Sequence, residues 1–497
     1  MTDVRYPQPT LPDNDRIARI QAACPALEPL FRGHAEQNHV PGVAYGVVAG
    51  GELIFSHSFG VRELTTQAPV DADTVFRIAS MTKSFTAAAI LHLRDTGNVR
   101  LDEAVAVYVP ELAGLRYPTA DSAPITVRQL LTMSAGWPQD DPWADRQLYR
   151  ADGAMSAFYR DGVAWSNPPG MLFEYSNYGY MVLGRIITNV SGIPAVDYIN
   201  RELLQPLGMT STFWDPTAVP PARLAHGYRW EDEQWKEEVL LPCGGDVACF
   251  AGIFTTVRDL ARWVHFFLDA WPPRDDAETA PLRRSTRREM QQIGAVDVPE
   301  LKIPSDGSPP TMSSGGYGFG IQINHDGQLC SVGHGGGLPG FGSQMRWLPT
   351  YDLGIVALGN VTYAGYRKLC IDALAQLVAA AGLQPRQPQV APALAAARAG
   401  IIRLMTTWDE DVAADLFADN LLLDSDAEHR QREVAALVAR HGPLHSEGPF
   451  TVENWLRGTW RMAGERGWVE VSITLSPTVP PRVQEWEMVS QFEEEGA

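Results

Sequence analysis

Residues 75–83, VFRIASMTK, decide the fold and the chemistry that this chain is expected to carry. The apolar run 75–79 ends at Ser80, and the residues after it recur at helical spacing up to Arg94. This spacing predicts a helix over 80–94. Because residues three apart share one face of a helix, the amine of Lys83 can reach the hydroxyl of Ser80.

A serine hydroxyl beside a lysine amine is a pair suited to nucleophilic catalysis. The hydroxyl is a poor nucleophile until a base removes its proton. A buried lysine can lose its charge through desolvation and act as that base. A Ser-x-x-Lys spacing also arises by chance, so the pair needs support from the rest of the chain.

Residues 175–177, YSN, form the second element. A tyrosine and an amide two residues apart in an extended segment point to the same side. Tyr175 could then pass protons between Ser80 and a leaving group. Asn177 could hold a substrate carbonyl or orient Lys83. The alternative is a buried aromatic ring followed by a turn asparagine.

The third element is the glycine-rich segment 333–342, GHGGGLPGFG. Glycines let a substrate approach a strand closely, which makes His334 and Gly336 candidate substrate-binding residues. Gly337 is the candidate that would pair its N–H with that of Ser80 in an oxyanion hole. A flexible glycine loop is the alternative.

The order Ser-x-x-Lys, Tyr-x-Asn and basic-x-Gly resembles that of class C β-lactamases, penicillin-binding DD-peptidases and the esterases and D-aminopeptidases related to them. Segments 97–102 (GNVRLD), 130–136 (LLTMSAG) and 251–256 (AGIFTT) match the same family, and the resemblance covers about residues 25 to 382. It implies an α/β (α+β) fold, with an antiparallel sheet flanked by helices and a helical subdomain beside it.

The resemblance also implies an acyl-enzyme reaction without metal or cofactor. Ser80 would attack a carbonyl while Lys83 and Tyr175 manage the proton, and which of the two is the base stays open. The family usually has lysine where this chain has His334, and a largely neutral imidazole attracts a substrate carboxylate less. This departure favours esterase, amidase or aminopeptidase activity over β-lactamase or DD-carboxypeptidase activity.

Composition points to two domains and excludes several classes of partner. A β-lactamase-like domain is expected over 1–383, a proline-rich linker over 384–393 and an accessory α+β domain over 394–497, whose segment 408–420 resembles nuclear-transport-factor-like domains. The net charge of -19 argues against nucleic acid. The sequence shows no signal peptide and no apolar run of membrane-spanning length, which predicts a cytoplasmic protein without a membrane partner.

Individual elements follow from periodicity and turn residues. The five cysteines are expected as free thiols, with a Cys243–Cys249 bridge as the alternative. Thr126 is expected to begin a short helix. Strands are predicted over 42–48, 53–59, 318–325, 330–333, 342–348 and 354–358, and because they are short and follow one another along the chain, antiparallel pairing is expected. Further helices are predicted over 178–190, 284–292, 366–381, 394–408, 411–417 and 429–441, and further strands over 459–463, 468–475 and 482–488.

Three functions compete on this sequence. The first is a serine hydrolase acting on small esters, amides or short peptides. The second is a D-amino-acid-specific peptidase or a weak β-lactamase. The third is a catalytically idle relative that binds or assembles with a partner, and the joint presence of Ser80, Lys83 and Tyr175 argues against it. A homo-oligomer stays an open alternative.

Overall fold

A computed structural model describes residues 6–240, 242–296, 299–303, 310–326 and 329–491. The chain divides into two compact units, one of Asp13–Gln384 and one of the described parts of Met1–Pro12 and Pro385–Ala497. This division assigns the residues before Asp13 to the same unit as the C-terminal segment, whereas the sequence placed them with the larger domain. The domain boundaries of the sequence analysis stay a prediction.

The strands are numbered along the chain. They are β1 (Gly42–Ala49), β2 (Glu52–Glu63), β3 (Ala68–Pro69), β4 (Phe76–Arg77), β5 (Tyr228–Glu231), β6 (Gln234–Glu237), β7 (Phe254–Thr255), β8 (Ala295–Val296), β9 (Glu300–Lys302), β10 (Thr311–Tyr317), β11 (Gln322–Asp326), β12 (Leu329–Leu338), β13 (Phe341–Leu348), β14 (Leu353–Gly359), β15 (His445–Asn454), β16 (Arg457–Gly464), β17 (Gly467–Leu475) and β18 (Val483–Gln491).

The α-helices are numbered in the same way. They are α1 (Arg16–Ala23), α2 (Glu28–Gln37), α3 (Thr82–Asp95), α4 (Val105–Tyr108), α5 (Val127–Leu131), α6 (Asp141–Ala144), α7 (Asp152–Asp161), α8 (Asn177–Ser191), α9 (Ala195–Ile199), α10 (Ala248–Ala251), α11 (Val257–Leu268), α12 (Arg284–Met290), α13 (Arg367–Ala380), α14 (Pro392–Thr406), α15 (Glu410–Leu416), α16 (Asp419–Asp424) and α17 (Ala427–His441).

A large antiparallel sheet organises the first unit. Its described strands follow the order β3-β2-β1-β14-β13-β12-β11-β10-β8, and β9 pairs with β10. Strand β1 is buried along its whole length because its side chains alternate between two hydrophobic cores. Val43 and Tyr45 join the core beneath α1, α2 and α13, whereas Ala44 and Val48 join the core that contains α3, α8 and α11. The fold class expected from the sequence is confirmed.

Several local predictions are confirmed by the elements observed. The hairpin β1–β2 forms as expected. Thr126 caps α5, and its side chain and that of Gln129 satisfy each other's backbone N–H groups. Helix α8 ends at Gly192, whose φ of 74° is the left-handed conformation that glycine adopts most easily. All five cysteines are free, so the alternative Cys243–Cys249 bridge is wrong.

Three boundaries differ from the predictions for physical reasons. Ser80 lies in a 3-10 turn (Ala79–Met81), and the α-helix begins only at Thr82. The predicted strand over 318–325 begins at Gln322, because the preceding residues form a turn closed by a hydrogen bond from the Gly318 N–H to the Ile321 carbonyl (2.8 Å). Strand β12 continues through the whole glycine triplet to Leu338, so the flexible-loop alternative is wrong.

In the second unit, helices α14–α17 precede four antiparallel strands in the order β15-β16-β17-β18. One hydrophobic core joins residues of these helices and strands, among them Leu394, Ile401, Trp460 and Val471. Three of the strands were expected, and β15 was missed. The nuclear-transport-factor-like identity of this unit stays a prediction. Within the described residues, no helix combines the length and apolarity that a membrane crossing requires.

Candidate active site

The backbone places Ser80 at a sharp turn between a strand and a helix. Strand β4 pairs with β7, and the Ile78 N–H donates to the Ile253 carbonyl (3.0 Å). The next residue, Ala79, has a φ of 50°, a left-handed conformation that is unfavourable for a residue with a side chain. Such strain persists only where the surrounding structure holds it, and it is frequent at functional turns. The turn leaves Ser80 half-buried, although its neighbours on both sides are buried.

Lys83 lies one helical turn after Ser80 and contacts it directly. Its Nζ lies 3.0 Å from the Ser80 Oγ and 3.2 Å from the Phe250 carbonyl oxygen. Lys83 is fully buried, and this burial lowers the pKa of its amine to about 8, although the carboxylates of Asp141, Asp145 and Asp140 act to raise it. A neutral amine within reach of the hydroxyl is what a general base requires.

Tyr175, from the second predicted element, lies beside the Ser80–Lys83 pair. The Tyr175 ring lies 4.8 Å from the Lys83 Nζ, measured to the ring centroid. Burial raises the pKa of the Tyr175 phenol well above its ordinary value, nearby Asp141 raises it further, and a hydrogen bond with Ser80 lowers it. The phenol therefore stays protonated at neutral pH and can act as a proton donor.

Asn177 begins α8 and is fully buried. Its Nδ2 donates to the Asp141 Oδ1 (2.7 Å), and its Oδ1 has no hydrogen-bond partner among the described residues. Asn177 does not belong to the residues that line the cavity over Ser80. Its predicted contact with substrate stays a prediction.

The glycine triplet packs against the turn that carries Ser80. A Cβ on Gly336 would lie 2.1 Å from the Ile78 carbonyl oxygen, so only glycine fits there. The Ser343 hydroxyl, on the neighbouring strand β13, donates to the same oxygen (2.9 Å). Gly337 lines the cavity together with Ser80, whereas Gly336 does not. The predicted oxyanion hole of Ser80 and Gly337 therefore borders the cavity, and the predicted contact of Gly336 with substrate stays a prediction.

His334 is almost fully buried, with 1% of its surface exposed, and has partners at both ring nitrogens. Its Nε2 lies 2.9 Å from the Tyr317 hydroxyl oxygen, and its Nδ1 lies 2.6 Å from the Gly335 carbonyl oxygen. Burial and the nearby Lys83 lower the pKa of His334 to about 3. The imidazole is therefore neutral at physiological pH, in agreement with the expectation from the sequence.

A cavity of about 310 Å³ opens over Ser80. The residues that line it are Ser80, Asp141, Asp145, Tyr175, Gln322, His334, Gly335, Gly337, Gln344, Tyr363 and Arg367. Segment 140–145 (DDPWAD) contains three carboxylates between the first two motifs, and two of them, Asp141 and Asp145, line the cavity although neither was predicted to belong to the site. Asp145 accepts a hydrogen bond from the Tyr363 hydroxyl (2.6 Å), and burial raises the pKa of Asp145 to about 6.

Among the described residues, no group of three or more histidine, cysteine, aspartate or glutamate side chains is arranged to hold an ion. The arrangement offers a nucleophile, a base of lowered pKa and a protonated phenol. Together these groups can perform acyl transfer.

Comparison with known proteins places the geometry in context. The model of the Beta-lactamase family matches residues 27–379. Protein flp of Staphylococcus aureus is 28% identical over 358 residues, which cover 71% of this chain but only 66% of the length of Protein flp. The D-alanyl-D-alanine-carboxypeptidase/endopeptidase AmpH of Escherichia coli is 25% identical over 354 residues, covering 68% of this chain and 86% of AmpH.

Two solved structures share the fold at 21% sequence identity. The octameric penicillin-binding protein homologue from Pyrococcus abyssi covers 95% of this chain and 96% of its own, with a TM-score of 0.60. The penicillin binding protein from Bacillus halodurans covers 70% of this chain and 99% of its own, with a TM-score of 0.55.

Proposed function

The chain belongs to the β-lactamase family of serine hydrolases, and from this membership we propose that it is an active enzyme that hydrolyses small esters, amides or short peptides through an acyl-enzyme. One observation carries the proposal: the Ser80 Oγ lies 3.0 Å from the buried Lys83 Nζ, and Ser80 lines a cavity together with Tyr175. An idle relative has no need to keep a nucleophile, a desolvated amine and a phenol together.

In the proposed reaction, Ser80 Oγ attacks the substrate carbonyl carbon while its proton passes to the neutral amine of Lys83. The N–H groups of Ser80 and Gly337 stabilise the oxyanion. The bond to the leaving group then breaks, and the leaving group takes a proton relayed from Lys83 through Tyr175. Water attacks the Ser80 ester, and the acid is released as the serine regains its proton.

The cavity supports small substrates with little negative charge. Its volume of about 310 Å³ is at the lower end of the range for small-molecule sites. His334 is neutral and offers no charge to a substrate carboxylate, and Asp141 and Asp145 line the wall. Arg367, which is exposed to solvent, is the arginine among the described lining residues and acts in the opposite sense, since it attracts a carboxylate. The neutral His334 and the two carboxylates favour esters and amides over β-lactams, which carry a carboxylate.

The second candidate is a peptidase specific for D-amino acids, and it follows from the similarity to AmpH, which is named a D-alanyl-D-alanine-carboxypeptidase/endopeptidase. Weak β-lactamase activity belongs to the same candidate. The structural neighbour from Pyrococcus abyssi is described as octameric, which makes a homo-oligomer worth testing by light scattering. The cytoplasmic location stays a prediction.

A side-by-side substrate panel tests the proposal. Nitrophenyl esters, D- and L-amino-acid anilides and nitrocefin are each incubated with the wild-type protein and with the Ser80→Ala variant. We expect turnover of the neutral esters that is lost in the variant. Turnover of the D-anilides that exceeds turnover of the esters would favour the second candidate. If the two proteins hydrolyse every substrate equally slowly, the result favours the hypothesis of a catalytically idle relative that binds or assembles with a partner.

A further inference from the structure

Tyr363 lines the cavity over Ser80, and neither the three motifs nor the proposed mechanism uses it. It lies in the loop between β14 and α13, and its φ of 54° is a left-handed conformation that is unfavourable for an aromatic residue. The main chain holds it there, because the Tyr363 N–H donates to the Phe341 carbonyl (3.2 Å). The neighbouring Thr362 is fixed as well, since its hydroxyl accepts a hydrogen bond from the Gly340 N–H (2.8 Å). Backbone strain that the surrounding structure maintains in this way is frequent at functional sites.

The Tyr363 side chain bridges two walls of the cavity. Its ring lies against the glycine triplet, so that a Cβ on Gly337 would lie 2.8 Å from the Tyr363 Cδ1. Its hydroxyl donates to the Oδ2 of Asp145 (2.6 Å), the residue that directly follows α6. All three residues line the cavity. The ring therefore spans the space between strand β12 and the segment that follows α6.

The hydrogen bond between Tyr363 and Asp145 is of a strong kind at neutral pH. Burial raises the pKa of the Asp145 carboxyl to about 6, so the carboxyl is largely ionised at pH 7. Burial also raises the pKa of the Tyr363 phenol above its ordinary value, so the phenol keeps the proton that it donates. Hydrogen bonds to a carboxylate are shorter and about twice as strong as those between neutral groups. Because Asp145 is 4% exposed and Tyr363 is 49% exposed, the buried carboxylate anchors a ring that is otherwise half open to solvent.

The proposed reaction determines which part of a substrate meets Tyr363. The carbonyl oxygen points to the N–H groups of Ser80 and Gly337, and the leaving group must reach Tyr175 to take its proton. The Tyr175 ring packs beside His334 (centroids 6.3 Å apart), whereas the Tyr363 ring packs against Gly337. His334 and Gly337 are separated by about 10 Å along strand β12, so the two tyrosines flank opposite ends of the site. The acyl chain is therefore the substituent that lies beside Tyr363.

We propose that Tyr363, anchored by Asp145, is a specificity-determining residue that limits the length of the acyl chain that the cavity accepts. The proposal rests on the hydrolase function proposed above. A long acyl chain must displace the ring and break its hydrogen bond, which weakens binding of the acylation transition state. A short chain such as acetyl leaves the ring in place. The enzyme should therefore prefer substrates with short acyl groups.

The first test compares the hydrolysis of nitrophenyl acetate and nitrophenyl hexanoate, which share a leaving group and differ in the acyl chain. We expect Tyr363→Ala to raise the kcat/KM for the hexanoate relative to the acetate by about tenfold, the lower end of what one methylene group changes in an apolar pocket. Tyr363→Phe keeps the ring but loses the hydrogen bond to Asp145, and it should move the ratio in the same direction by a smaller factor. An unchanged ratio in Tyr363→Ala would overturn the proposal, and an unchanged ratio in Tyr363→Phe would overturn the anchoring by Asp145.

Two further variants separate the side chain from general effects. Tyr149→Ala is the matched control, because Tyr149 is similarly exposed (56%) and does not line the cavity, and its ratio should equal that of the wild type. Tyr363→Gly repeats the truncation with a residue for which a φ of 54° is unstrained, and it should give the same ratio as Tyr363→Ala. A similar rise in Tyr149→Ala, or a rise in Tyr363→Ala that is absent from Tyr363→Gly, would assign the effect to loosening or strain and would overturn the proposal.

The second test measures the size limit without catalysis, in the Ser80→Ala background. The probes are N-phenylacetamide and N-phenylhexanamide, and their dissociation constants are measured by calorimetry. We expect the added Tyr363→Ala substitution to tighten binding of the hexanamide relative to the acetamide, and an unchanged ratio of dissociation constants would overturn the size limit. If the wild-type protein hydrolyses neither ester, the hydrolase proposal fails, and this binding ratio still decides the role of Tyr363.

Discussion

The pH dependence of Ser80 acylation follows from the environment of Lys83. Burial lowers the pKa of the Lys83 amine to about 8, and only its neutral form can accept the Ser80 proton. At this pKa the amine is neutral in roughly 1% of molecules at pH 6, roughly 10% at pH 7 and half at pH 8. We therefore expect acylation to rise about tenfold between pH 6 and pH 7 and to level off above about pH 9.

The assay is the second-order rate of labelling by a fluorophosphonate, which needs no knowledge of the natural substrate. Asp141→Asn provides the diagnostic shift, because the Asp141 carboxylate stabilises the Lys83 ammonium and raises its pKa. Its removal lowers that pKa, so the midpoint of the profile must move to lower pH. Asparagine still offers an oxygen to the Asn177 Nδ2, which limits the structural disturbance.

Asp424→Asn is the matched control, since Asp424 is exposed and does not line the cavity. Its midpoint should coincide with that of the wild type. A labelling rate that is flat between pH 6 and pH 9, or a midpoint that moves to higher pH in Asp141→Asn, would refute the assignment of Lys83 as the base.

Three further predictions concern the same site. Lys83→Ala should lower the rate of ester turnover at least about a hundredfold, because the Tyr175 phenol, which also contacts Ser80, stays protonated and cannot replace the lysine amine as the base; a near-wild-type steady-state rate would reject this role. Gly336→Ala should destabilise the fold by about 1–3 kcal/mol in urea unfolding, since its Cβ would lie 2.1 Å from the Ile78 carbonyl oxygen. For Asp145, burial raises the pKa in the folded state to about 6, so wild-type stability falls as pH rises from about 4 to about 6. The unfolding free energy of Asp145→Asn should therefore increase relative to that of the wild type between pH 4 and pH 6, by at most about 3 kcal/mol. A difference that stays constant between pH 4 and pH 7 would contradict the raised pKa of Asp145.

The local parts of the site could be predicted from the sequence. The contact between Ser80 and Lys83 needs only the geometry of one helical turn, and β1–β2 needs only a hairpin turn between two apolar runs. Such features depend on residues close together in the chain, whose spacing determines their side-chain directions.

The parts of the site that could not be predicted from the sequence depend on contacts between distant segments. Asp145 meets the Tyr363 hydroxyl across more than two hundred residues, and Tyr317 reaches His334 only because β10, β11 and β12 are neighbours in the sheet. Register of this kind is not encoded in any one segment. A single sequence therefore could not show that the carboxylates and Tyr317 belong to the site.

Two boundary errors have a similar origin. Alternation over 318–325 is typical of a strand, but Phe319 and Ile321 are buried in a turn, where the same side chains meet the core without strand pairing. Strand β12 was predicted too short because glycine is unfavourable in strands. The tight packing of Gly336 against the Ile78 carbonyl compensates for that disadvantage, and it depends on tertiary structure.

The role of Ser80 as a covalent nucleophile can be measured by intact-protein and peptide mass spectrometry after fluorophosphonate treatment. We expect one adduct per chain, located on the peptide that contains Ser80 and absent from Ser80→Ala. An adduct that persists in Ser80→Ala, or a wild-type protein that remains unlabelled across pH 6 to pH 9, would contradict it.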